Sequence, residues 1–204
     1  MPPKSKPDLT LNPDDLFAAE YDYIANTVYQ ANEDRSRITS FYFVSVGSVV
    51  AAILGTQFAE DKLKSVALAF SVLFIFLTIL GALTIAQLAR LRAAWHESVE
   101  AMNHLKEFYI KAHPDIAPAF KWRRKSIPPP DKPFSIANLL ASEVALLGAV
   151  TTSVAAYFLI LAFSVEFPSW GWMPIIVSFF LGSGLQWWCY KSLLKNNRHA
   201  GESK

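Results

Sequence analysis

VALAFSVLFIFLTILGALTIAQL, residues 66–88, holds no charged side chain and no proline. Wound as a helix at 1.5 Å per residue, a stretch of this length covers a hydrocarbon core about 30 Å thick. It reads as a membrane span, and the rest of the fold is built outward from it. Upstream, ITSFYFVSVGSVVAAILGTQF at residues 38–58 is equally free of charge. Downstream, residues 136–163 and 172–190 are apolar, with Glu143 the one formal charge between them. Residues 59–65 and 164–171 are too short to be anything but tight returns. The expected fold is all-α, with four spans arranged as two hairpins. The whole chain agrees: of 204 residues 52% are hydrophobic and 18% charged, with a net charge of +2. A typical soluble domain is about 25% charged, so a disordered or collagen-like chain is excluded and an ordinary soluble domain is disfavoured. One cysteine, Cys189, excludes an intramolecular disulfide and any multi-cysteine metal or redox motif.

Charge sets the expected orientation. Residues 89–135 carry nine Lys/Arg against five acids, whereas the two returns carry Lys62 and Lys64, and none. By the positive-inside rule the amino terminus, this central stretch and the carboxyl terminus lie in the cytoplasm. Lys191, Lys195 and Arg198 agree, and so do Phe167, Trp170 and Trp172 outside and Trp187, Trp188 and Tyr190 inside, as interfacial belts. The first 37 residues hold seven acids and no apolar segment, so no cleavable signal is expected and the first span acts as its own insertion signal. The localisation this implies is the inner (plasma) membrane.

The first hairpin extends beyond the bilayer. Asn12-Pro13-Asp14-Asp15 reads as a helix start, and no Gly or Pro follows until Gly47. Phe17, Tyr21, Ile24, Val28 and Ala31 recur at heptad spacing; so do Leu91, Trp95, Ser98, Met102, Leu105, Tyr109 and Ala112 after the second span. Arms over residues 13–37 and 89–113, roughly 37 Å each, would form an antiparallel cytoplasmic stalk of coiled-coil type. Paired residue numbers should then sum to a constant near 124, set by the loop centre at Lys62. Opposite charges meet in that register: Asp15 with Lys111, Glu20 with Lys106, Asp34 with Arg92. Such pairs are worth about 0–1 kcal/mol each and select register, while the apolar seams hold. The alternative is two separate amphipathic helices lying on the membrane. A tail over residues 1–12, a Pro-rich linker over 114–135 and a basic tail over 191–204 complete the chain. Within the linker, Lys121, Arg123, Arg124 and Lys125 interleave with aromatic residues and should contact anionic lipid; no nucleic acid is needed to explain them.

Spans associate through small residues that let backbones approach. Gly47, Ala51 and Gly55 form one such ridge, and Ala141, Ala145 and Ala149 another. They serve tight packing of four helices, or one of them serves a homo-oligomer. Glu143 reads as an interface acid paired with Arg90 or Arg92, or as a pore-lining carboxylate with Gln186 as its polar neighbour. The chemistry of enzymes is not visible. Gly-rich phosphate loops, nucleophile elbows and Cys-x-x-Cys are missing, and His96-Glu97 lacks the second histidine of a zinc protease, Glu100 standing in its place. His96 and His104 lie about 12 Å apart along a helix, too far for one metal. No catalysis, metal or cofactor is expected.

A charged helix, Gln30-Ala-Asn-Glu-Asp-Arg35, entering a short-looped hairpin, and a long helix from Trp95-His96 to Phe108-Tyr109 after it, resemble the SLATT class of two-span effectors. These occur with nucleotide-second-messenger synthases in bacterial conflict systems. The resemblance covers roughly the first 113 residues, and the second hairpin departs from it. It implies a non-enzymatic effector of anti-phage defence that oligomerises and perturbs the membrane when a signal, such as a nucleotide second messenger, reaches its cytoplasmic arms. It carries over no functional residue. The alternatives are a membrane scaffold or regulatory subunit docking a soluble partner, or a small transporter or channel subunit.

Overall fold

The start of the first helix is written into its cap. Asn12 Oδ1 accepts the Asp14 amide at 3.2 Å, and the Asn12 carbonyl accepts the Leu16 amide at 3.2 Å. Pro13 takes the first-turn position, where a missing N–H costs nothing, and Asp14 and Asp15 sit at the positive end of the helix dipole. In the computed structural model, which describes residues 12–55, 62–123, 126–164 and 167–202 (side chains to 195, Pro13 excepted), this helix, α1, runs Pro13–Gly55. α2 (Leu63–Ala112), α3 (Ile136–Phe163) and α4 (Trp172–Glu202) follow, with 3-10 turns at Pro114–Ala119 and Ser169–Gly171. Among the described residues there is no strand; the protein is all-helical.

α2 is 50 residues long, about 75 Å. It stops where proline forbids it to continue: His113, before Pro114, leaves the helical region at φ −132°, ψ 77°. The linker then folds back. Phe134 takes a left-handed φ of 57°, sparsely populated for a bulky side chain, and turns the chain into α3. Ser135 Oγ caps α3 by accepting the Asn138 amide at 3.3 Å.

α1, α2 and α3 are long and apolar enough to cross a membrane. α4 is not among them, because Gln186, Trp187, Trp188 and Tyr190 dilute its aliphatic run. Two boundaries differ from the sequence expectation. Residues 63–65 belong to α2 rather than to the return loop, and α4 continues beyond 190 to Glu202 rather than giving way to a tail. Phe58 and residues 59–61, with the terminal residues 1–11, lie outside the described residues.

α2 is the hub. It packs on α1, α3 and α4, and α3 packs on α4, while α1 and α3 make only a minor contact. The core takes Tyr42 and Val46 from α1, Phe74, Leu77 and Ile85 from α2, Ala141, Val144 and Ala145 from α3, and Tyr190 and Leu194 from α4. Close approach is visible at two glycines. A Cβ on Gly81 would stand 2.6 Å from the Tyr42 hydroxyl, and one on Gly148 would collide with the Gln186 carboxamide. Hydroxyls tie α2 to α3: Ser71 Oγ donates to the Ala155 carbonyl at 3.0 Å, and Thr78 Oγ1 lies 3.0 Å from Thr151 Oγ1. Far from this core, Phe17 stacks on Tyr109 with ring centroids 4.9 Å apart, so the first turn of α1 meets the last turns of α2.

Candidate functional site

The face α1 turns toward α2 is apolar at Ile24 and Ala31, then presents Arg35 and Thr39 before returning to Tyr42 and Val46, all of them buried. Arg35 is 7% exposed and Arg92, on α2, is 6% exposed. Burying a guanidinium costs several kcal/mol unless charge and hydrogen bonds compensate. The compensation here is partial. Arg35 Nη2 donates to Asn32 Oδ1 at 2.6 Å, but its Nε has no partner. Arg92 Nε donates to the Pro130 carbonyl at 3.1 Å, and its guanidinium lies 4.4 Å above the Trp95 ring, a cation–π contact.

Burial pushes both arginines below their ordinary pKa, and the Arg35 charge pushes Arg92 further in the same direction. The group acting the other way on both is the Tyr190 phenol, which is uncharged at neutral pH. Guanidinium stays protonated all the same. Two buried positive charges therefore act on one another, and no carboxylate among the described residues forms an ion pair with either. The linker completes the arrangement: by giving its Pro130 carbonyl to Arg92 it brings the capped start of α3 against α1.

Between α1 and α3 this leaves a cleft of about 490 Å³, within the range of small-ligand sites. Its lining is polar at Asn32, Arg35, Ser36, Thr39 and Ser40 of α1, and apolar at Phe43 of α1 and at Ile136 and Leu140 of α3. Ile136, the first residue of α3, is part of the lining, so the positive end of the α3 dipole lies near this space.

The sequence-derived candidates fall elsewhere. Glu143 is exposed on α3, whereas Gln186 is buried against Gly148, so the two do not form one polar site. Neither Arg90, exposed, nor Arg92 pairs with Glu143. The arm pairs Asp15–Lys111, Glu20–Lys106 and Asp34–Arg92 are not brought to ion-pair distance. Asp15, Glu20 and Lys111 are exposed and stay solvated, because holding two long side chains together costs entropy, and Arg92 is taken by Pro130 and Trp95. Arg37 pairs instead with Glu33, one turn back on its own helix, at 4.0 Å. Ala141, Ala145 and Ala149 are buried. Gly47, Ala51 and Gly55 are exposed, and a Cβ on either glycine would meet nothing within 4 Å. Lys121 is exposed; Arg123 is exposed and turns back to the carbonyls of Ala117 and Phe120 at 2.7 and 3.4 Å. Arg124 and Lys125 lie outside the described residues. Among the described residues no three of His, Cys, Asp and Glu are placed to hold a metal ion.

Arg35 was missed as a site residue, although a signal for it existed. The seam Phe17, Tyr21, Ile24, Val28, Ala31 steps next onto position 35, which places a charge on the packed face. Arg92 carried no such signal, since its acceptor comes from a distant linker. Compared with known proteins, the chain matches no family model, no curated protein and no solved structure.

Proposed function

We propose that this chain is a multi-pass plasma-membrane protein acting as a non-enzymatic, signal-gated effector: it assembles in the bilayer and perturbs it when its cytoplasmic arms are engaged, as in anti-phage or conflict defence. The observation that carries the reading is the situation of α1. It is held almost wholly by α2, and its small-residue face, Gly47, Ala51 and Gly55, points away from that contact with nothing on it. In lipid such a face is what another helix packs on. α2 is unbroken from its apolar segment into the arm, so a shift of the arm is transmitted into the membrane.

In this reading α1 and α2 form the antiparallel cytoplasmic stalk. The Phe17–Tyr109 stack and the Tyr42–Gly81 contact both fall close to the constant residue-number sum expected of a hairpin. α4 is the fourth span despite its lower apolarity, and both chain ends are cytoplasmic. Exposed Trp170 and Trp172 at one end of its apolar run and Trp188 near the other support this, as interfacial belts would. A second reading, a scaffold docking a soluble protein, draws on exposed Tyr23, Tyr29 and Phe108 along the arms.

Induced expression with a potential-sensitive dye tests the choice. Loss of membrane potential with the wild-type chain, relieved by Gly47→Leu, supports the effector. Unchanged potential and growth, with a soluble protein co-purifying until Tyr29→Ser and Phe108→Ser remove it, replaces it with the scaffold. Labelling of Trp122→Cys and Lys195→Cys variants from opposite sides of the membrane would overturn the topology.

A further inference from the structure

We infer that the cleft beside Arg35 is a phosphate-binding site, occupied by the headgroup of an anionic phospholipid. The inference rests on α1 and α3 lying in the membrane, as proposed above, but not on effector activity.

Three features point to phosphate. Arg35 lines the cleft and is more than nine-tenths buried, and its guanidinium is only partly compensated: Nη2 donates to Asn32, while the buried Nε has no partner. Guanidinium N–H groups match phosphate oxygens in geometry as well as charge. Ser36 and Ser40 add hydroxyl donors to the same lining, and the start of α3 contributes the positive end of its dipole. Arg92, whose charge and that of Arg35 act on one another, is a second buried cation, and no carboxylate among the described residues forms an ion pair with it. An anion in the cleft would be the counter-charge for both.

The apolar part of the lining points to lipid rather than to a free phosphate. Phe43 belongs to the apolar run of α1, and Ile136 and Leu140 open that of α3. Arg35 and Ser36 precede the apolar run at residues 38–58. The cleft is thus polar on the cytoplasmic side and apolar on the membrane side, at the level where headgroup gives way to acyl chain. Exposed Phe41, Val44 and Leu139 carry the apolar surface onward.

The test uses the full chain in maltoside micelles, which bring no phosphate. Native mass spectrometry and thermal unfolding are followed as phosphatidylglycerol, inorganic phosphate or adenosine monophosphate is added. The wild type should retain phosphatidylglycerol and rise in Tm with it. Arg35→Gln should weaken retention by about tenfold or more, the loss of one charge-assisted hydrogen bond. Without lipid, Arg35→Gln should melt no lower than wild type, because a merely structural arginine would lower Tm whereas an uncompensated one does not. Ser40→Trp, which fills the cleft while leaving Arg35 in place, should also lose the lipid, and Lys132→Gln, on the exposed linker, should keep it. Retention and Tm shift equal in wild type, Arg35→Gln and Ser40→Trp would overturn the site. Protection by inorganic phosphate or adenosine monophosphate that depends on Arg35, without lipid retention, would uphold the phosphate site and overturn the lipid as its occupant.

Discussion

Two ridges of small residues run along this molecule and meet different fates. On α3, Ala141 and Ala149 are fully buried and Ala145 nearly so, with Gly148 giving the room that the Gln186 carboxamide of α4 occupies. On α1, Gly47, Ala51 and Gly55 follow the same four-residue step, yet they face outward with space beyond them. The residue pattern alone does not separate the two. What separates them is the neighbourhood: α3 is flanked by α2 and α4, whereas α1 rests chiefly on α2 and meets α3 only slightly. Small residues permit close approach but do not supply the partner. A ridge already filled belongs to the fold, and an empty one is free for assembly.

The strongest way to break this contrast is to enlarge both ridges. Gly148→Leu should destabilise the bundle by about 3 kcal/mol or more, since the new side chain must expel Gln186 from a packed interface. Thermal or denaturant unfolding in micelles measures it. A loss below about 1.5 kcal/mol, the scale of a tolerated swap, would show the α3–α4 contact to be loose and erase the distinction.

Gly47→Leu carries the opposite expectation. The unfolding midpoint should hold or rise slightly, because leucine is favoured over glycine in a helix by about 0.8 kcal/mol and nothing obstructs it. The self-association proposed above, read by sedimentation in detergent or by cross-linking in membranes, should weaken by about tenfold or more, equivalent to 1.4 kcal/mol. Unaltered association would mean that α1's ridge is simply lipid-facing.

The difference between the ridges also marks what could be read from residues and what could not. The limits of α3 were legible because hydropathy and capping coincide there: Ser135 caps, and the apolar run begins at the next residue. At the end of α4 the two separate. Hydropathy falls at 190, but Lys191, Ser192 and Leu193 are compatible with helix and the backbone continues, as propagation adds a hydrogen bond whatever the side chain's polarity. The heptad seam of α1 was legible from spacing, and with it the inward position of Arg35. What a charge at that position implies depends on its neighbours, which spacing along one helix does not name. Arg92's bond to Pro130 and Gln186's place against Gly148 join segments far apart in sequence, and local pattern carries no trace of such contacts.

A smaller effect tests whether α1 is fastened at its outer end. Phe17→Ala removes the stack on Tyr109, worth about 0.5–1.5 kcal/mol beyond the area it covers. Hydrogen exchange should quicken in the first turns of α1 and the last turns of α2 and stay unchanged in α3, which has its own contacts. Acceleration spreading through α3 would show that the arm and the buried ridge unfold together, contrary to a stalk attached through α2.

The smallest effect comes from the polar contacts beside the filled ridge. Ser71→Ala removes the hydroxyl that reaches the Ala155 carbonyl across α2 and α3. In water-free surroundings the bond could be thought strong, but the unfolded chain in a membrane finds other partners, and interhelical hydrogen bonds average about 0.6 kcal/mol with a ceiling near 1.7. The carbonyl also retains its place in the α3 backbone ladder, so its loss of one donor leaves no orphan. A change of about 0.6 kcal/mol in micelle unfolding, with association untouched, is the expected result. A loss well above that ceiling would mean that hydroxyl contacts, rather than the close fit of Ala141, Ala145 and Ala149, hold α3 in place, and the small residues would then be a consequence of helix approach instead of its cause.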